Sequence, residues 1–349
     1  MKPITRTRAA LLLAASLAAP ALAADHQPIN LRVTDELIVP GYQRLVAVTA
    51  DFEAATAAGC ADRARLEQAF HAVGDAWHDV ELWRFGPVEY LDRRGRFWFW
   101  PDKHARMDRQ LRQFLNAADR AVLTADAIRE LSAALEGMPA AERLLFTEQA
   151  DGLGGADAYA CAYLHAIARN LNEIAAGIVH DWTDPQGQRA LVVAIADDSS
   201  ALYESADEYA TELLKSLHTE LLAIRDQKLA LPLDASLEQA RPHRAEFWRS
   251  GRALRNIGHN LESVRALFEL LAAGIEDKAL SDAIRGDFDA AANALAAITV
   301  PLYQAVTDPQ QRPRVEAARA AVNTLAERIG KELPAALGLA LGFNSLDGD

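Results

Sequence analysis

Apolar residues recur at intervals of three and four along almost the whole chain, and runs of β-branched residues are scarce. That spacing matches the helical repeat and leaves little room for strands. Pro40 opens a helix through about Ala58. Asp62 caps the next, whose seam is Leu66, Phe70, Val73, Trp77 and Val80. Gly86 and Pro87 stop the chain after Phe85, and Pro101 suits the first turn of a helix marked by Met107, Leu111 and Phe114. Thr124 caps a short piece ending near Gly137, and Pro139 starts another reaching Phe146. After a glycine loop at 151–155, a helix places Cys161, Leu164, Ala168, Leu171, Ala175 and Ile178 on one face. Asp184 and Pro185 break the pattern. A long helical stretch then runs to Lys228, Leu229 to Pro242 reads as a linker, and Arg244 to Ala273 reads as one long helix. The expectation is an all-α protein of two helical-bundle halves packed together, 24–190 and 191–349, dividing somewhere between Asp184 and Pro242.

The first 23 residues stand outside that pattern. Lys2, Arg6 and Arg8 precede a short apolar run, and Ala21-Leu22-Ala23 fits a small-x-small cleavage site. This reads as a secretory leader cut after about Ala23, with no cysteine next to the cut for a lipid anchor, and implies a periplasmic protein. No later apolar run is long enough to span a bilayer. Removing the leader takes the formal charge from −13 to −16. Such acidity argues against nucleic acid and anionic membranes, and is compatible with cations, basic partners or no partner at all; the partners expected are a metal ion or small ligand and an envelope protein. Cys60 and Cys161 are the only cysteines. In an oxidising compartment a lone pair is expected to form one disulfide.

Three features carry candidate chemistry. The loop around Trp98 and Trp100 is rich in large rings and arginines, including Arg84, and must fold back onto the body, either as a plug or as a ligand-binding wall. On the helix after Asp62, the residues Glu67, His71, Asp75 and His78 fall on one face, with imidazole and carboxylate donors suited to iron or another divalent metal. The competing reading is a solvated polar face. On the helix read from Arg244, the residues Arg252, Arg255, His259 and Glu262 form a second stripe, either an anion cradle or a ladder of ion pairs. His-x-x-Glu also occurs three times, at His78/Glu81, His243/Glu246 and His259/Glu262, a spacing used by metal ligands in helical bundles. No zinc-protease helix motif, phosphate loop, dinucleotide fingerprint or nucleophile elbow is present.

Several segments together resemble the imelysin-like family of exported bacterial proteins: Ala76-Trp77 with Arg84-Phe85-Gly86-Pro87, Phe99-Trp100-Pro101-Asp102, Gly137 to Phe146, Phe247 to Arg252, and the ending Gly342 to Asp349. The resemblance covers about 31–345. It implies two helical-bundle halves, an envelope location and a link to iron. It also implies a Gly-x-His-x-x-Glu motif proposed to bind a peptidase metal. Here Gly137 and Glu142 match, but Pro139 stands at the histidine position and cannot ligate a metal. The expectation is a non-catalytic protein of iron or metal uptake, with Arg84, Trp98, Trp100, Glu142, Arg249 and Arg252 as ligand-binding candidates. The metal candidates are Glu67, His71, Asp75, His78, His259 and Glu262. A metallopeptidase and a helical interaction module docking on an envelope partner are the alternatives.

Overall fold

Two prolines account for the least regular turns of the molecule. In a computed structural model describing residues 25–102, 106–154 and 158–340, the first helix α1 (Gln27–Val33) runs through a widened π turn (Thr34–Ile38) into α2 (Val39–Ala57). Pro40 therefore does not open the helix as expected; the chain is helical from Gln27. A proline ring clashes with the carbonyl four residues before it. For Pro40 that residue is Glu36, inside the π turn, where the wider backbone makes room. The same device recurs before Pro232: α11 (below) passes into a π turn over Ile224–Leu229, and Lys228 lies four residues ahead of the ring.

Asp62 caps α3 (Arg63–Val80), its carboxylate accepting from the Arg65 amide at 3.1 Å. The ring-rich loop follows and contains the five-residue α4 (Arg93–Phe97) and a cis Trp100–Pro101 bond. The next helix, α5 (Met107–Ala117), starts at Met107 and not at Pro101. Asp102 receives the amides of Arg106 and Met107 at 3.1 and 2.9 Å and so supplies the cap. Short helices α6 (Ala125–Ile128), capped by Thr124, and α7 (Ala133–Glu136) lead to α8 (Met138–Phe146). The long α9 (Tyr159–Thr183) ends at Asp184.

The stretch expected as one helix from Pro185 to Lys228 is broken. It forms α10 (Gln188–Val193), a loop through Asp198 at positive φ, and α11 (Ala206–Ala223), which Ser205 caps. The expected linker is pinned: α12 (Ala230–Leu233) buries Pro232 and Leu233, and the Arg312 guanidinium donates to the Leu233 carbonyl at 2.8 Å. Then come α13 (Ala253–Leu271), α14 (Lys278–Ala296), α15 (Leu302–Ala305), α16 (Arg312–Lys331) and α17 (Leu333–Leu337). Among the described residues every regular element is helical. The leader at 1–23 and the ending at 342–349 lie outside them.

Helix α2 packs against α9 and α3, and α8 against α9 and α3; α14 packs against α16, and α11 against α13 and α16. Contact between α3 and α13 joins the two groups. The Cys60–Cys161 disulfide forms, with Cα atoms 5.8 Å apart, and ties the start of α3 to α9. The candidate cleft lies where the loop after α3, the start of α8 and the segment before α13 meet.

Candidate functional site

The segment before α13 carries most of the site. Arg244 to Arg252 were expected to be helical, but α13 begins only at Ala253. Phe247 and Gly251 take positive φ, and the Arg252 amide donates to the Phe247 carbonyl at 3.3 Å, closing a tight excursion. This fold aims Glu246 and Phe247 inward while Trp248 and Arg249 face a cleft. Gly137, at the start of α8, packs so closely on the loop that an added Cβ would strike the carbonyls of Arg96 and Phe97. That contact seats Pro139 and Glu142 opposite Trp248.

The cleft has a volume of about 660 Å³ and is lined by Trp100, Pro139, Glu142, Trp248 and Arg249 among others. On one wall the Trp248 indole lies between the His243 ring, stacked at 4.2 Å, and the Arg249 guanidinium, 4.5 Å from the ring centre. Arg143 and Arg249 converge on one carboxylate, Asp108; Arg249 reaches it at 2.9 and 3.0 Å. Two guanidiniums on one carboxylate leave a positive charge in excess. The Glu142 carboxylate accepts from the Ser250 amide at 2.9 Å and from the Ser250 hydroxyl at 2.8 Å. Burial raises the Glu142 carboxyl above its ordinary range despite those bonds. Arg249 thus pairs with Asp108, and Glu142 with Ser250.

Behind the cleft lies a buried polar cluster. Rings of Trp77, Trp98 and Phe247 separate the two; Trp98 stacks on Phe247 at 4.0 Å and lies at 6.2 Å from Trp77. Trp98 is only 5 % exposed, packed into the body of the protein. Its indole N–H donates to Glu246 at 2.9 Å. Lys228, swung inward by the π turn, places its ammonium 2.7 Å from a Glu81 oxygen and 3.0 and 3.1 Å from the two oxygens of Glu246. Asn260 donates to Glu81 at 3.1 Å and Asn256 to Glu246 at 2.9 Å. His78 Nδ1 lies 2.5 Å from the Gly74 carbonyl and must carry the proton there. Its Nε2, fully buried, has no hydrogen-bond partner and faces Glu246 at 3.3 Å and Glu81 at 3.6 Å.

Charges of opposite sign offset one another in this cluster. Burial would raise Glu246 and lower Lys228, but the partners together outweigh it: Lys228, His78 and Asn256 hold Glu246 well below the usual carboxylate range, and Glu246, Glu81 and Glu220 raise Lys228. Nearby, Arg84 donates to the buried Glu220 at 2.8 Å, and Arg94 lies 3.9 Å from Glu81. Arg84 therefore sits beside the cluster and not in the cleft.

The other candidates are dispersed. Glu67 pairs with Arg63 at 2.9 Å on the surface. Asp75 is buried under Arg252 at 2.8 Å, with Arg255, and His259 lies at 3.2 Å. Arg252 also donates to His71 Nδ1 at 2.9 Å, and Gly74 lets its guanidinium lie flat on α3, since an added Cβ would come within 2.5 Å of it. Burial, with Arg252 and Arg255 nearby, lowers His71 to about 4. His259 donates from Nδ1 to Asp79 at 2.7 Å, and its bonds to Asp75 and Asp79 raise it to about 9. Glu262 is exposed. The face of Glu67, His71, Asp75 and His78 thus divides between surface, an ion-pair seam joining α3 to α13, and the buried cluster. Of the three His-x-x-Glu pairs, only His78/Glu81 points both side chains into one place; Glu246 joins them while His243 turns to Trp248. Lys228, Asn256 and Asn260 carry no motif. The one signal for Lys228 is Pro232.

A peptidase metal at the Gly137–Glu142 motif does not fit these residues. Pro139 offers no ligand atom, and Glu142 already accepts two hydrogen bonds from Ser250. Among the described residues, the one group of three metal-type donors within 4.8 Å of one another is His78, Glu81 and Glu246, and Lys228 bonds both of its carboxylates.

The fold is shared with known proteins. The solved structure of an imelysin-like protein from Psychrobacter arcticum superposes with a TM-score of 0.76 at 17 % identity, covering 94 % of this chain and all of that one. Iron-regulated protein A of Synechococcus elongatus is 23 % identical over 318 residues, 86 % of this chain and 83 % of that protein. The Imelysin family model matches residues 38–329, and the chain belongs to the imelysin family.

Proposed function

We propose that this protein is an exported, non-catalytic member of its family that serves iron handling by holding a small anionic iron chelate in the cleft. The observation that carries this reading is the cleft itself. It is large enough for a small ligand, it sets an indole and two guanidiniums around a single carboxylate, and its motif lacks the ligands a hydrolytic metal needs. An aromatic face beside excess positive charge suits a planar or chelated anion. The name of the Synechococcus relative, iron-regulated protein A, supports iron as the element concerned. The disulfide and the expected leader support export to an oxidising compartment such as the periplasm.

The test is calorimetric titration with ferric citrate, with its gallium analogue and with the free ferrous, ferric, zinc and cupric ions. Binding of the chelate in the micromolar range, lost in Trp248→Ala and Arg249→Ala, is the expected result. No binding tighter than about millimolar, roughly 4 kcal/mol, would remove the proposal. A chelator-sensitive peptide-cleavage assay is expected to show no activity.

A further inference from the structure

His78, Glu81 and Glu246 bring three metal-type donor atoms within 4.8 Å of one another. In a tetrahedral site with bonds of about 2.0–2.1 Å, ligand atoms stand roughly 3.3–3.4 Å apart. His78 Nε2 lies 3.3 Å from one carboxylate oxygen and 3.6 Å from the other. Each of the three side chains also makes a further hydrogen bond that fixes its orientation. His78 Nδ1 donates to the Gly74 carbonyl, Asn260 donates to Glu81, and Asn256 and Trp98 donate to Glu246. Outer bonds of this kind orient ligands in metal sites. The Lys228 ammonium bonds the two carboxylates, while His78 Nε2, fully buried, makes no well-aligned hydrogen bond and lies beside Glu246 at 3.3 Å.

We propose that these three residues form a divalent-cation site for a borderline first-row ion such as Zn²⁺, Co²⁺ or Fe²⁺, and that Lys228 is its built-in competitor. Ammonium and metal share the same carboxylates, so one excludes the other. A void of about 60 Å³ borders Lys228 and Glu81, lined also by Arg84, Arg94, Trp98, Trp100 and Gln227. Trp100 and Gln227 also line the cleft, so the void lies next to the open side of the molecule. This site is distinct from the Gly137–Glu142 motif and does not depend on what the cleft binds.

The experiment compares the mature protein with Lys228→Met by equilibrium dialysis against Co²⁺ and Zn²⁺, and by the visible spectrum of bound Co²⁺. Lys228→Met is expected to take one equivalent of Co²⁺ at least 100-fold more tightly than the unmodified protein. Adding His78→Ala or Glu246→Gln should abolish that gain. A folded Lys228→Met that binds no Co²⁺, or binds it no better than the unmodified protein, overturns the proposal. Should Lys228→Met not fold alone, Zn²⁺ but not Mg²⁺ must restore its helical circular dichroism; a chain still unfolded in saturating Zn²⁺ overturns it equally.

Discussion

Lys228 stands four residues before Pro232, at the position whose carbonyl the proline ring would strike in a regular α-helix. The backbone avoids the collision by widening into a π turn, and in that turn the Lys228 side chain points at Glu81 and Glu246. A ring with no chemistry of its own thereby sets the direction of the one buried ammonium in the cluster.

Replacing Pro232 by alanine permits the regular ladder to close and rotates Lys228 away from its carboxylates. Helix-breaker removal normally stabilises, but here a loss of about 1–3 kcal/mol is expected, because leaving buried carboxylates under-paired costs up to about 3–5 kcal/mol. Urea unfolding of the Pro232→Ala variant measures it; a gain in stability would break the link between the ring and the lysine.

His259 bridges Asp75 and Asp79, and its value in the fold is raised to about 9 from an ordinary 6.5. A raised value means the folded state holds the proton more tightly. The bridge therefore contributes fully below about pH 6.5 and fades as the pH climbs through about 9. His259→Gln should lower stability on the order of 1 kcal/mol near pH 6, with the difference vanishing above pH 9. A difference unchanged from pH 6 to pH 10 would contradict the bridge.

Glu142 is raised by burial, so the fold favours its neutral form. Its contribution is present below the ordinary glutamate range and is lost as the pH rises through its raised value. The neutral isostere in Glu142→Gln can still accept from Ser250. This variant should match the parent in acid and be more stable at neutral pH, as read from melting temperatures across that range.

The Cys60–Cys161 bond spans 101 positions of sequence. For a closed loop of that size the chain-entropy estimate is about 4–5 kcal/mol. Cys60→Ser with Cys161→Ser should show a loss of that order in guanidinium unfolding. Intact mass should rise by about two daltons when the parent is reduced.

Much of the fold could be read from spacing alone, because the long helices each bury one face. Asp62 and Thr124 marked their caps directly, through side chains that accept from the first-turn amides. What failed were places where tertiary contacts overrule local pattern. Phe247 and Gly251 continue the α13 seam in sequence, yet the chain leaves the helix there to bury Glu246 against Lys228. His71 and Asp75 share a helical face suited to a metal, but a sequence cannot show that Arg252 arrives from α13 to lie on both. Lys228 was hidden for the same reason, since nothing next to it announces its two carboxylates, 147 and 18 positions away.

Those separations bear on how the protein comes apart. Glu81 rides on the end of α3, Lys228 on the exit from α11, and Glu246 on the approach to α13. None can stay bare in an apolar interior, so partial undocking of the two helical groups would strand charge with no counterpart. The chain should accordingly melt as one cooperative body, without a halfway species in which either group of helices persists alone.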